Sequence, residues 1–337
     1  MQTQIKDFFQ GLEMGTGSGH RNLVVFPLMY EAKTGLEYLS LDEALAQRVF
    51  EVEEVSPGGE VPFLRVTNRG KLPVLILAGE ELVGAKQNRI LNLTVLVPGQ
   101  TKLIIAVSCV EQGRWRSMST HFASGHYAPA RLRNNKERSV RENLRATGAP
   151  VSDQGQVWND VSQTLSFLHA DSPTMAMADA YAKMESDLRS AAAAIQLPPG
   201  TCGMAAFVAD ELVVVDLFGY QATFREMSRK LIDSYLIAAL SEVRAAVGRT
   251  AKAKGLDCRL RAAEMLERAA ASHMEHRQTI GLGTDIRLSG NEVRGAVLAV
   301  EGLVLHASLF PDDGQADGEL PRATRMASPR RRRRREP

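Results

Sequence analysis

Apolar residues arrive along the first third of the chain in short runs of strand length. Residues 23–29 (LVVFPLM) form one continuous run, and residues 61–68 (VPFLRVTN) alternate apolar with polar. Residues 72–84 (LPVLILAGEELVG) hold two apolar runs around Gly79-Glu80-Glu81, which predicts a hairpin with the two glutamates at its turn. Residues 91–99 and 102–110 are β-branched and flank Pro98-Gly99, a turn signal. Region 20–115 therefore reads as β-rich, with one short helix over residues 41–47 (LDEALAQ). From 131 to 195 the period changes. Val157, Val161, Leu165 and Leu168 recur at helical spacing behind an Asp153–Gln156 capping pair, and 174–195 is rich in Ala and Met. Residues 201–310 are mixed. An apolar hairpin pattern (203–218) precedes helical stretches over about 222–247 and 256–277, and a second hairpin pattern spans 295–310.

The two hairpin patterns have one 16-residue shape, with Gly203/Gly295, Val208/Val300, Leu217/Leu309 and Phe218/Phe310 matching without gaps. Internal repetition and the shared pattern of any two antiparallel hairpins account for this equally well. Strict βα alternation is absent, so the expected class is α+β: mostly antiparallel sheet packed with several helices.

Charge changes the picture only at the end of the chain. The 337 residues carry 41 basic and 39 acidic side chains, net +2, but residues 311–337 alone carry +3 and include six consecutive arginines, Arg330 to Arg335. The body, 10–310, is near neutral and has no nucleic-acid footprint of its own. The tail is expected to be disordered, since like charges repel and it has little to bury. Weak nucleic-acid contact through Arg330–Arg335 is its one suggested partner. Three cysteines without Cys-x-x-Cys spacing exclude a zinc ribbon or a thioredoxin motif. No secretory signal and no bilayer-length apolar run is seen, so a cytoplasmic protein away from membranes is expected. Oligomeric state is not readable.

The densest polar constellation lies at 79–115. Glu80 and Glu81 are followed by Gln87, Asn88 and Arg89, and then by Cys109, Glu111, Arg114 and Trp115 after an apolar strand. Carboxylates suit a ribose diol, amides a base edge, arginines a phosphate and tryptophan a stacked ring. Internal salt bridges at hairpin ends would use the same residues. A Cys109 nucleophile with His121 or His126 competes with a buried small side chain. His273 and His276 fit a helix end better than a metal site, and no metal or other cofactor is expected. Neither Gly15–Gly19 nor Gly281–Asp285 is a phosphate loop. The first reads as a flexible entry loop and the second as a helix-to-strand bridge.

The run GEELVGAKQNR (79–89), followed by VSCVEQGRW (107–115), resembles the domain associated with ADP-ribosylglycohydrolases and the rhodanese/phosphatase superfamily. The likeness continues into 218–240, 281–283 and 295–310, covering about 10–310. What the resemblance implies is a role in NAD and ADP-ribose metabolism on an α+β fold. The family-like positions are Glu80, Gln87, Asn88, Arg89, Cys109, Glu111, Arg114 and Trp115. The expectation is therefore binding or processing of ADP-ribose or another NAD-derived nucleotide. If the protein is an enzyme, it would hydrolyse an N-glycosidic or related bond, with Glu80 and Glu111 as the carboxylate pair. The alternative is a non-catalytic scaffold whose basic tail tethers it to nucleic acid or an acidic partner.

Overall fold

The computed structural model describes residues 1–31, 35–245 and 255–312. Of the tail expected over 311–337, everything from 313 onward, the six arginines included, lies outside the described residues. The chain opens with α1 (Gln2–Gln10), β1 (Glu13–Met14), β2 (Ser18–His20) and β3 (Leu23–Met29). A β-rich stretch follows: β4 (Leu39–Ser40), α2 (Leu41–Ala46), β5 (Phe50–Glu54), β6 (Phe63–Asn68), β7 (Val74–Ile76), β8 (Glu80–Gly84), β9 (Arg89–Leu91), β10 (Val95–Val97), β11 (Thr101–Cys109) and β12 (Phe122–Tyr127). Three helices come next, α3 (Ala130–Thr147), α4 (Gln154–Leu168) and α5 (Met177–Ala192). The last third holds β13 (Thr201–Val208), β14 (Glu211–Phe218), α6 (Gln221–Ala245), α7 (Gly255–Ala271), β15 (His273–Gln278), β16 (Thr284–Gly290), β17 (Val293–Val300) and β18 (Leu303–Pro311).

The strands form one large sheet, ordered β1-β3-β13-β14-β18-β17-β16-β15 with β2 beside β3, and two smaller sheets, β12-β8-β9-β11-β6-β5 and β10-β7-β4. All pairs are antiparallel except β4 with β7. This is the expected α+β class. The large sheet is buried on both faces because its central strands carry apolar residues at most positions on either side. Along β13, Met204, Ala206 and Val208 join the core under α4, α5 and α6, while Ala205 and Phe207 face the core under α1 and α7. The smaller sheets enclose a third core. Leu75, Leu77, Ile90 and Leu96 nonetheless belong to the same cluster as the helices and the large sheet, so apolar packing fuses the lobes.

Local signals explain the element ends. Ser40 and Glu43 form a reciprocal capping box on α2, and Asp153 accepts from the Gln156 N–H at the start of α4. The two hairpin patterns are β13–β14 and β17–β18, and they meet along β14–β18. That contact has a symmetric register, with Val215 opposite Leu309, Asp216 opposite Ser308 and Leu217 opposite Ala307. The Asp216–Ser308 pair thus sits where a two-fold axis relating the hairpins would pass.

Four expectations are corrected. The 72–84 pattern is not a hairpin: β7 and β8 belong to different sheets, and Gly79, at φ +95°, turns the chain between them. Residues 273–278 continue as strand β15 rather than helix, because they pair with β16 and bury Met274. Residues 18–20 form β2, so they are not a free loop. Residues 281–283 therefore join two strands, and Leu282 bridges to Leu96. Among the described residues no helix is long and apolar enough to cross a membrane.

Candidate functional site

The two motifs meet because β9 and β11 are neighbours, with Arg89 opposite Cys109 and Ile90 opposite Ser108. Residues 87–88 and 111–115 then leave the same end of the six-stranded sheet together. Glu111 is the centre of the first half of the cluster. Its Oε2 accepts from the Asn88 backbone N–H (3.0 Å) and Arg114 Nη2 (2.6 Å), and its Oε1 accepts from Arg114 Nε (2.8 Å) and the Thr174 hydroxyl (2.8 Å). Arg114 also donates to the carbonyls of Ala85 (2.6 Å), Arg116 (3.2 Å) and Gly84 (3.3 Å), and to Asn88 Oδ1 (3.0 Å). Burial works against the Glu111 charge, but the hydrogen bonds from Arg114, Asn88 and Thr174 outweigh it and hold the carboxyl below its ordinary range. Every lone pair and N–H of this pair has a partner inside the protein. It pins the 84–88 turn, the 111–116 segment and the 174 loop to one another.

Glu80 and Glu111, the expected carboxylate pair, are not brought together. Successive strand residues point to opposite faces, and β8 is a strand here rather than a turn. Glu80 is buried against Lys230 (3.3 Å) and accepts from the Leu77 N–H (3.2 Å). Lys230 also reaches Asp42 (2.6 Å). Glu81 is the glutamate on the Glu111 side. Its Oε2 accepts from the His126 N–H (3.1 Å), while its Oε1 is buried without a hydrogen bond. Burial first, and the neighbouring Glu111 charge next among the raising influences, push its carboxyl up to about 7. Spacing could not choose between two adjacent glutamates, because that needed the strand's facing.

The other half of the cluster is less complete. Arg89 is fully buried, and its Nη1 donates to the backbone and side-chain oxygens of Gln87 (3.2 and 3.1 Å). Its Nε and Nη2 have no hydrogen bond, and Glu54 lies 4.0 Å away. Trp115 is 48% exposed and carries the Arg89 guanidinium 5.7 Å and Lys86 Nζ 5.4 Å from its ring centroid. Gln87 Nε2 donates to the Gln112 carbonyl (3.3 Å). Cys109 is wholly buried, and its backbone is clasped by Gln154. Burial pushes its thiol up to about 11. His126 stacks on Tyr181 (4.1 Å) instead of meeting Cys109. Both observations set the cysteine among the core side chains.

A second polar constellation was missed by the sequence reading. Across the large sheet one row runs Asp216, Ser308, Ala296, Arg287, and the next runs Phe218, His306, Leu298, Asp285. Helix α3 lies over these rows and contributes Arg133, Lys136 and Glu137. Asn92 and Thr94 close the space from the β9–β10 connection. The result is a narrow cavity of about 20 Å³, room for about one water molecule. Arg133 forms two 2.8 Å bonds to Asp216, which also accepts from Tyr235 (2.6 Å) and Ser308 (2.6 Å). His306 Nδ1 meets the Thr94 hydroxyl (3.0 Å), and burial pushes its imidazole down to about 4. The available signals were lone polar residues inside apolar strands (VVVDLF, LVLHASLF) and Arg133, Lys136 and Glu137 spaced i, i+3, i+4 on one helix. Among the described residues no group of three His, Cys, Asp or Glu side chains is placed to hold a metal ion.

No curated protein and no solved structure gives a significant match to the chain. A family model does match, that of the ARG and Rhodanese-Phosphatase-superfamily-associated Protein domain, over residues 11–310. That span takes in both motifs and the strands and helices that hold the two constellations, and the chain therefore belongs to this family.

Proposed function

We propose that the protein binds ADP-ribose or another NAD-derived nucleotide at the end of the six-stranded sheet. One observation carries the reading: a half-exposed Trp115 beside a buried arginine with two nitrogens, Nε and Nη2, that make no hydrogen bond. A buried guanidinium whose Nε and Nη2 make no hydrogen bond, with Glu54 4.0 Å away, is costly and suits an anionic guest. In this reading the base stacks on Trp115, Arg89 and Lys86 meet the diphosphate, and Gln87 orients the base edge or ribose. The Glu111–Arg114 lock keeps these groups in place. The family's association with ADP-ribosylglycohydrolases supports the ligand class.

Processing of the ligand would fall to Glu81 and Glu111, whose environments push their carboxyls in opposite directions, up and down. Such a split is the usual mark of an acid and an ionised partner. Calorimetry and thermal shift with ADP-ribose, NAD, AMP and nicotinamide test the proposal. Binding of at least one nucleotide is expected, weakened roughly 5- to 100-fold in Trp115→Ala, as lost stacking predicts. No response to any of the four at millimolar ligand overturns it. An enzyme would release nicotinamide or ribose phosphate, and release would vanish in Glu81→Gln and Glu111→Gln.

The saturated Glu111–Arg114 pair favours a second reading, a non-catalytic scaffold, since a fully partnered pair asks for no guest. In that case Glu111→Gln lowers the melting temperature and no nucleotide affinity exists to be changed. A basic tail, Arg330–Arg335, would then tether the domain, and deleting 328–337 would abolish salt-dependent retention on nucleic acid.

A further inference from the structure

The large sheet opens at one end, and two residues set the opening. Strands β14 and β18 pair from Val215–Leu309 to Phe218–His306. Two residues further along the same register Val213 would stand opposite Pro311. Proline has no N–H to give, and Val213 is the extra residue of a bulge, since β13 pairs Ala206 with Val214 and Phe207 with Leu212. The ladder ends there and the two strands part. The result is a cleft of about 310 Å³ between this end of the sheet, α6 and the outer face of α3. That volume is in the range of ligand pockets, whereas the space under the buried face of α3 holds about one water.

Part of the lining is apolar: Leu212, Val213, Ala238 and Pro311. The rest is polar, with Arg131, Asn134, Asn135 and Arg138 along α3 and Arg294 beside them, and no carboxylate lines the cleft. Carboxylates stand behind this wall and hold it. Asn135 Nδ2 donates to both oxygens of the buried Asp160 (3.1 and 2.9 Å), which turns its Oδ1 to Arg138 Nη2 (3.0 Å). Glu137 (3.0 Å) and Asp312 (2.9 Å) hold Arg294, which donates to Asn134 Oδ1. The sense of each amide is thereby fixed. Among the described residues nothing accepts from Asn134 Nδ2, and hydrogen bonds use one of the five N–H bonds of Arg138. Arg131 spends one on Gln163 (2.8 Å), with Asp160 3.8 Å from its Nε. The cleft thus offers donors and positive charge together with apolar surface.

We propose that this cleft binds a small phosphate monoester with an apolar body, of the size of phenyl phosphate. The phosphate meets Arg131, Arg138 and the Asn134 amide, three donor groups for three terminal oxygens, and the apolar body lies on Val213 and Ala238. A dianion matches two guanidinium groups, whereas a carboxylate, with two oxygens and one charge, fills less of this set. The site shares no residue with the Trp115 shelf and stands or falls independently of it.

The test is calorimetry on the full chain with phenyl phosphate, benzoate, phenol and inorganic phosphate. Phenyl phosphate is expected to bind, and each of the other three, which lacks part of the match, to bind at least about fivefold more weakly. Arg131→Gln and Arg138→Gln should each weaken phenyl phosphate about tenfold, as loss of a charge-assisted hydrogen bond predicts. Both side chains lie on the outer face of α3, and a thermal melt of each variant checks that it is folded. Ala238→Leu, which fills the apolar part of the cleft and leaves the arginines in place, should also weaken it. Trp115→Ala should bind phenyl phosphate as the parent does. No response to phenyl phosphate at millimolar ligand overturns the proposal. So does binding that is lost in Trp115→Ala and kept in the arginine and Ala238 variants, since the guest would then sit on the shelf. Benzoate bound as tightly as phenyl phosphate overturns the assignment of a phosphate head group.

Discussion

Glu80 and Glu81 are adjacent in sequence and both buried, yet they face different partners. One shares Lys230 with Asp42, while the other keeps a bare oxygen beside Glu111. Burial raises both carboxyls, that of Glu80 against the opposing Lys230 charge. An unfolded Glu81 titrates near the ordinary glutamate value and the folded one near 7. Between those values the native state holds a proton that the unfolded state has lost, so stability falls as pH rises through this window and is level above it. Glu81→Gln removes that fall. Its melting temperature should match the parent near pH 5 and exceed it near pH 8, a gain on the order of 3 kcal/mol at most. Thermal melts across pH check this, and a variant that loses stability equally at both pH values would contradict it. Lys136 has the opposite sign. Its folded value is lowered to about 7, so its contribution rises from pH 7 towards the unfolded lysine value.

At the scale of elements, the strands were legible where apolar runs were long, as at residues 23–29, 203–218 and 295–310. Sheet membership was not. The run at 72–84 looks like a hairpin because each half is a good strand, and nothing in its alternation says that the halves join different sheets. The same blindness extended helix α7 into β15, since His273 to Gln278 can satisfy either period. Glycines mark where strands approach closely. A Cβ on Gly295 would lie 2.4 Å from the Ser308 carbonyl oxygen, backbone that cannot move aside without parting β17 from β18. Gly295→Ala should cost about 1–3 kcal/mol in urea unfolding. The same substitution at Gly148, which has open space but φ +76°, pays only backbone strain and should cost about 1 kcal/mol.

At the scale of the whole molecule, helix α3 ties the lobes. Arg133 bonds the large sheet through Asp216, and Lys136 bonds the β9–β10 connection. Breaking the first tie by Arg133→Met strands a buried aspartate and should cost about 3–5 kcal/mol. The double variant with Asp216→Asn should cost less than the sum of the singles, as a double-mutant cycle in denaturant would read. One core cluster runs through both lobes, so unfolding of the parent should be a single transition by fluorescence and circular dichroism alike.

The candidate site was half legible. That residues 79–89 and 107–115 hold a polar cluster beside an apolar sheet follows from composition, and the family likeness from the motifs themselves. Hydrophobic periodicity by itself determined the α+β class, the helices of the middle third and the two hairpins, because these depend on contacts within a few residues. Only the tertiary structure decided which glutamate stands beside Glu111, that Arg114 is saturated while Arg89 is not, and that Asp216, Arg287, His306 and Lys136 surround one space. Those are matters of strand facing, sheet order and helix placement. They are set by partners from a few tens to 175 residues away along the chain, such as Ala85 for Arg114 and Ser308 for Arg133, over distances that no local pattern encodes.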